Sequence, residues 1–478
     1  MTVAGGQAAR WSELYSSGHF GRIVLLSFGV WLHAADELMV STITPAMMAE
    51  IGGERFVAWL IALYEVGSIV AGAVSALIVI RLGLRAAMVA AALAYLSGCL
   101  VSGFSPSIGP MLAGRLVQGF GGGAMVAIAF IAVHRLMPGR LIARVFAVIS
   151  MVWGASAFTG PLIGAGFAEA GWWRGAFFLF AAQAAAFAML VGLRLAEGPA
   201  AATEVAIAAA GRSLRLILRV GVLAAGVVAI AAAGIEVETS RSLPLAALGL
   251  ALLALFLWLE AVAGADRLLP TRPWNALSPH GSVMAALMLL SAATAGLITY
   301  GPLLMSRLHG ADAVTIGLIL LVESIAWSLV AILISGLPRR HETMAIAGGF
   351  AAVTLGVAGL VHTMVAGPLW TVALCALLMG GGFGAAWSFV VRRALAVVAP
   401  AERERIASAI PTTQRLGYAL GAAYVGIIAN GVGFADSDAA GVATATAWWI
   451  FTLSLVPAGL GLAAVWCFLR WPEPDGQN

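Results

Sequence analysis

Apolar runs of twenty or more residues recur along this chain from Ile23 almost to its C-terminal end, separated by short segments that carry arginine. A helix needs roughly 20 apolar residues to cross the hydrocarbon core of a bilayer. Fourteen such spans can be read, near 22–49, 57–79, 86–104, 109–133, 145–168, 175–195, 216–235, 243–263, 281–304, 313–336, 344–364, 368–391, 406–429 and 444–469. The 478 residues are 62% hydrophobic and 10% charged, against about half and about a quarter in a soluble domain. No polar stretch is long enough to fold alone. The expected class is an all-α polytopic membrane protein.

The loops orient the spans. With the N-terminus inside, the inner loops hold Arg81 and Arg85, then Arg135, Arg140 and Arg144, then Arg194, Arg212, Arg215 and Arg219. Arg267, Arg272, Arg339, Arg340, Arg392, Arg393, Arg403 and Arg405 follow, whereas the outer loops hold Arg55, Arg174, Arg241 and Arg307. This bias fits the positive-inside rule with an even span count and both termini cytoplasmic. Every basic residue is Arg and none is Lys, as codon bias in a GC-rich genome produces. The basic residues lie at helix ends, not in a patch, so the net charge of +4 does not point to nucleic acid. The first run is too long for a signal core and follows some twenty polar and mixed residues, so no cleaved signal is expected. Cys99, Cys375 and Cys467 each sit alone, with neither a disulfide framework nor metal spacing.

An internal repeat organises the chain. Gly119 to Gly123 lie within a span, Pro138 opens an arginine-bearing loop, and Gly160 lies in the next span. Shifted by 262 residues, Gly381 and Gly384, then Pro400 with Arg403 and Arg405, then Gly421 fall at or beside the matching points. Paired halves with a site between them are the plan of many transporters. The expected units are an N-terminal six-helix bundle over 1–197, a linker with two inserted helices over 198–268, and a C-terminal six-helix bundle over 269–478. The linker opens on a polar, Ala-rich stretch from Glu197 to Arg215.

Ionisable residues inside spans are costly and mark function by default. Asp36 and Glu37 lie in the first span, Glu65 in the second and Glu323 in the tenth. A carboxyl between apolar helices is a candidate proton carrier, because desolvation disfavours its charged form. A cationic substrate arriving beside it would expel the proton, which is antiport in its simplest form. His33 lies four residues before Glu37, on the same helix face, and could share protons with the two acids. Glu323 could face Asp36 or Glu65 across a central cavity. Glu260, nearer a span end, is expected at the interface. Arg115, about six residues into the fourth span, needs an acid partner, and an acid of the first or second span is expected. The aromatic residues Tyr64, Trp153, Tyr300, Trp327, Phe383 and Trp387 are candidate walls for organic cations. Gly154, Gly160, Pro161 and Gly164 suit a hinge and a close helix contact. The run from Gly380 to Gly384 is read the same way, since no strand precedes it and the chain has no Lys for a nucleotide loop.

These residues resemble the major facilitator superfamily, and within it the fourteen-helix drug:proton antiporters. Asp36 followed by Ile43, Thr44 and Pro45 is similar to that branch's first-helix motif. Trp59 and Tyr64 match its second helix. Arg115, Gln118, Gly119 and Gly122 match the superfamily's Arg-x-x-Gln-Gly signature. Gly154, Gly160, Pro161 and Gly164 look like the antiporter motif of exporters, followed by Trp173 and Arg174. Arg415, Gly417, Gly421 and Gly426 resemble the thirteenth helix. The loop between spans 2 and 3 departs from the pattern. It keeps Arg81, Gly83 and Arg85 but has Ile80 at the aspartate position and Ala76 at the leading glycine. In the family that loop helps to latch the halves in the outward-facing state.

The resemblance implies a major facilitator fold and a monomeric, proton-coupled antiporter in a bacterial cytoplasmic (inner) membrane. Lipophilic cationic drugs would be the small-molecule substrates and the proton gradient the drive, with no cofactor. It links Arg115 to proton coupling. The competing reading is export of an endogenous amphiphile, a lipid or secreted metabolite, on the same fold. A sensor or scaffold would need a soluble domain to signal through. The sequence holds no catalytic triad, metal site or nucleotide motif, so no enzymatic role is expected.

Overall fold

The computed structural model describes Glu13 and residues 19–195, 203–273, 275–399, 402–437 and 439–471. Both chain ends and the boundary at 197/198 therefore lie outside the described residues. Within them the chain is helical, without a strand. The helices are α1 Phe20–Ile51, α2 Val57–Leu82, α3 Leu84–Gly103, α4 Ile108–Leu136, α5 Gly139–Glu169 and α6 Arg174–Arg194. After these come α7 Thr203–Ala232, α8 Thr239–Val262, α9 Pro279–Thr299, α10 Gly301–His309 and α11 Ala313–Ile334. The last four are α12 Glu342–Ala366, α13 Leu369–Val397, α14 Arg403–Val432 and α15 Ala440–Leu469.

Two details differ from the spans read in the sequence. The ninth span is two helices, broken at Tyr300, because Pro302 has no N–H to continue the hydrogen-bond ladder. Thirteen spans, with α9 and α10 counted as one, are long and apolar enough to cross a membrane. The helix left out is α14, which is long enough but carries Arg403, Arg405, Gln414 and Arg415. It packs against α2, α7, α9 and α15, so protein encloses much of its length.

Helices α1–α6 pack on one another, as do α9–α15, while the α7–α8 pair lies against α2 and α14 at the seam. Glycine makes the tightest of these contacts possible. A side chain at Gly119 would strike the Tyr64 carbonyl, and one at Gly122 would strike the His33 ring. In the other half a side chain at Gly380 would strike the Glu323 carbonyl, and one at Gly384 the Trp327 carbonyl. Backbones separated by so little exclude any Cβ.

The halves are tied together at one end. There Arg307 pairs with Glu54 and Arg55 with Asp436, each pair joining the two halves. Asn430 donates to the Arg55 carbonyl at 2.9 Å and to the Gly234 carbonyl, which brings the inserted pair into the same seal. At this end Gly317 of α11 sits against Pro161 and Ala165 of α5. Toward the opposite end Met151 of α5 and Leu329 and Ile332 of α11 are exposed. The ion pairs there join neighbours: Arg219 with Glu260 at 2.6 Å and Arg392 with Glu342 at 2.7 Å. Glu260 also accepts from the Leu268 and Leu269 amides, so it is a buried anchor of the inserted pair and not an interfacial acid.

Candidate functional site

Asp36 lies near the middle of α1 and is fully buried. Its Oδ2 accepts from Arg115 Nη1 at 2.6 Å, with 0% and 1% of the two side chains exposed. The guanidinium also donates to the Leu60 carbonyl and to Gln118 Oε1, each at 3.3 Å, and lies 4.1 Å over the Tyr64 ring. Gln118, one turn along α4, donates to Asp36 Oδ1 at 3.3 Å and to Cys99 Sγ at 3.2 Å. Its Oε1 accepts from Ser102 at 2.9 Å. A buried ion pair is tolerated when its remaining donors and acceptors are also used, and here they are.

His33 and Tyr64 back this pair. The Tyr64 hydroxyl donates to the His33 carbonyl at 2.7 Å and lies 2.8 Å from His33 Nδ1, while the rings stack at 5.1 Å. Both residues are fully enclosed. The sequence offered Tyr64 as a candidate wall for organic cations and His33 as a partner for the protons of the two acids; the structure places both behind the Asp36–Arg115 pair. His33 turns toward Tyr64 and Trp153, not toward water.

A second group lies where the halves meet. Glu65 of α2, 1% exposed, accepts from Arg415 Nη1 of α14 at 3.1 Å, while 17% of the Arg415 side chain is exposed. Arg415 also lies 5.9 Å from the Trp153 ring. Glu37 of α1 is half-buried and interacts through its side chain with Glu65 and by charge with Arg415. Tyr418, one turn after Arg415, lies within electrostatic reach of Glu37, Glu65 and Glu323. Glu323 is half-buried on α11, and no ion pair or hydrogen bond to its carboxylate is found among the described residues. Trp327, one turn further on, stacks on Phe383 at 4.8 Å and lies 6.3 Å from Trp387. The centre therefore holds three carboxyls, one guanidinium and an aromatic group.

The remaining candidates lie elsewhere. Tyr300 is fully buried near the sealed end, edge-on to Phe434 at 5.6 Å, and its hydroxyl has no hydrogen-bond partner among the described residues. It is part of the seal and not of the central group. Gly160 and Gly164 seat α5 on the Ala35 and Met39 carbonyls of α1, and Gly154 faces Ser328 of α11. With Pro161 they form the α5 contact surface. Sequence reasoning named Arg415 only as part of a helix pattern, and Tyr418 not at all. The available signal was an Arg deep in a span with a Tyr three residues later.

A family model, Major Facilitator Superfamily, matches residues 26–422. The chain belongs to the major facilitator superfamily. A probable multidrug-efflux transporter of Mycobacterium tuberculosis is 29% identical over 442 residues, spanning 90% of this chain and 92% of the relative. An MFS-type transporter of the acurin A biosynthesis cluster of Aspergillus aculeatus is 28% identical over 159 residues, 33% of this chain and 29% of the relative. Among solved structures, a bacterial homologue of the human lysosomal transporter Spinster, inward-facing and unoccupied, superposes with a TM-score of 0.68. It is 13% identical and covers 95% of this chain and 98% of its own, a likeness of fold. As a major facilitator protein, the chain is a multi-pass membrane transporter of small molecules, not an enzyme.

Proposed function

We propose that the protein is a proton-coupled antiporter that exports lipophilic cations from a bacterial cytoplasm across the inner membrane, as a monomer working by alternating access. The observation that carries this reading is the placement of Glu37, Glu65 and Glu323 around the seam between the halves, beneath a seal closed at one end. The arginine bias of the loops supports both termini on the cytoplasmic side, which makes the sealed end the outer one. A carboxylate without a counter-charge is costly in a dry site. When the site closes for transit, these acids need either protons or a cation, and the two compete for the same oxygens. The aromatic group beside Glu323 suits the apolar body of a drug. The mycobacterial multidrug-efflux relative supports drugs as substrates.

The test uses proteoliposomes with an imposed pH gradient and the lipophilic cation ethidium. Wild-type protein is expected to release protons when ethidium is added, and the Glu37→Gln and Glu65→Gln variants to lose at least most of that release. Proton release at the wild-type rate in both variants would sink this reading. Export of an endogenous amphiphile is the second reading, favoured by the relative from a fungal biosynthesis cluster. It predicts transport of an uncharged amphiphile that ethidium does not inhibit.

A further inference from the structure

Arg415 is a cation built into a site proposed to bind cations. It reaches from α14 of the C-terminal half to Glu65 of α2 in the N-terminal half, at 3.1 Å. Glu37 of α1 is its second acidic neighbour. Arg115 of α4 is the other cation near these acids, but it is already committed to Asp36. From α11 the acid at this centre is Glu323, and from α14 itself Tyr418 lies within electrostatic reach of Glu323, Glu37 and Glu65. Trp153 of α5 gives the guanidinium an aromatic face, 5.9 Å away. A guanidinium on an aromatic ring with a carboxylate in reach is the environment that would receive an organic cation. Charge counting agrees. The Asp36–Arg115 pair is self-balanced, so Glu37 and Glu65 share one fixed positive charge, Arg415, and Glu323 adds a third carboxyl to the same centre.

We infer that Arg415 is a tethered stand-in for the substrate: it occupies the Glu65 end of the site when the carrier is empty, and a substrate's cationic centre takes its place. This rests on the function proposed above and adds a specificity-determining residue to it. When the cation arrives, Arg415 leaves Glu65, and the one charged link between the halves at this depth among the described residues is broken. The site thus selects a ligand with a positive charge strong enough to compete with a guanidinium, and it frees the halves only when such a ligand is bound.

The experiment measures tetraphenylphosphonium binding to the purified full-length protein by equilibrium dialysis. It compares wild type with Arg415→Gln, Arg415→Lys, Glu65→Gln and the Glu65→Gln/Arg415→Gln double variant. Arg415→Gln removes the competitor and is expected to tighten binding at least tenfold. Arg415→Lys keeps a competitor and stays near wild type. Glu65→Gln sets Arg415 free to take Glu37, so binding weakens at least tenfold, and the double variant returns toward wild type. A purely structural strut would move both single variants in the same direction. Should Arg415→Gln not fold, the double variant compared with Glu65→Gln decides, because it removes Arg415 together with the carboxylate that it pairs with. Unchanged or weaker binding in folded Arg415→Gln, or a double variant no better than Glu65→Gln, overturns the inference. Absence of binding and transport of any cation by wild type would instead overturn the function on which it rests.

Discussion

The two halves of this protein are packed alike and charged differently. In the N-terminal half Gly119 and Gly123 of α4 rest on the backbone of Tyr64 and Ser68 in α2. In the C-terminal half Gly380 and Gly384 of α13 rest on Glu323 and Trp327 in α11. Likewise Gly160 and Gly164 of α5 meet Ala35 and Met39 of α1, and Gly417 and Gly421 of α14 meet Met288 and Ala292 of α9. In that register Asp36 corresponds to Leu289, Arg115 to Ala376 and Gln118 to Met379. The polar network of one half is thus absent from matching positions in the other. Glycine contacts set the shared architecture. The Asp36–Arg115–Gln118 network is an addition made in one half, and its cost argues for function over packing.

The comparison breaks most visibly at Arg115. Arg115→Leu leaves the fully buried Asp36 carboxylate without its partner, which costs about 3–5 kcal/mol. Thermal unfolding of the purified protein should show a large fall in midpoint for this variant. Replacing both Asp36 and Arg115 by Leu, the residue type found at Leu289, should recover most of it. A single variant as stable as wild type would mean that the N-terminal half does not depend on its buried pair, and the contrast between the halves would lose its energetic meaning.

The shared glycine contacts come next. Gly119→Ala and Gly380→Ala each drive a Cβ into a carbonyl of the facing helix, so each forces a backbone shift worth about 1–3 kcal/mol. The same unfolding measurement should give similar losses in the two halves. If Gly380→Ala is tolerated and Gly119→Ala is not, the halves are packed by different rules and the register above is wrong.

The sequence carried the architecture well because each span is a local property. Apolar length marked fourteen spans, α14 among them, although Gln414 and Arg415 lower its hydropathy below that of the other thirteen. The single offset of 262 residues came close for Gly119 and Gly380, which are 261 apart, but failed for Gly160 and Gly417, which are 257 apart. Loops of different length lie between the matched helices, so no constant shift can hold. Asp36 announced its need for a partner, and an Arg on a neighbouring span was legible as that partner. Arg415 was not legible as part of the site, because Glu65 lies 350 residues away and only the meeting of the halves brings them together. Tyr300 misled for the same reason: burial in a seal and burial beside a cavity look alike in a sequence.

A smaller effect tests whether aromatic residues divide as the charges do. Trp327 stacks on Phe383 next to Glu323, whereas Trp31 stacks on Phe180 inside the N-terminal bundle and donates to Thr159 at 3.0 Å. Trp327→Ala should weaken tetraphenylphosphonium binding by about 0.5–2 kcal/mol, the range of a cation–π contact, and Trp31→Ala should leave it unchanged. Equal effects at the two positions would mean that the aromatic group of the C-terminal half has no special part in binding.

The smallest expected effect lies at the sealed end, where the matched helices α2 and α11 begin differently. No side chain caps α2, whose N-cap is Phe56, whereas the Asp312 carboxylate accepts from the Thr315 amide at 2.7 Å and caps α11. The Thr315 hydroxyl first, and then this amide, donate to the charged carboxylate and hold the Asp312 pKa below its ordinary value. A group depressed in the folded state adds stability above its unfolded pKa and loses it as pH falls through the folded value. Asp312→Ala should therefore lower the unfolding midpoint slightly at neutral pH, with the difference from wild type shrinking once the pH drops below the ordinary aspartate range. Phe56→Ala should show no such pH-dependent difference. A deficit for Asp312→Ala that persists undiminished in acid would mean that α11 loses packing in that variant and not its cap, and the two helices would then start alike.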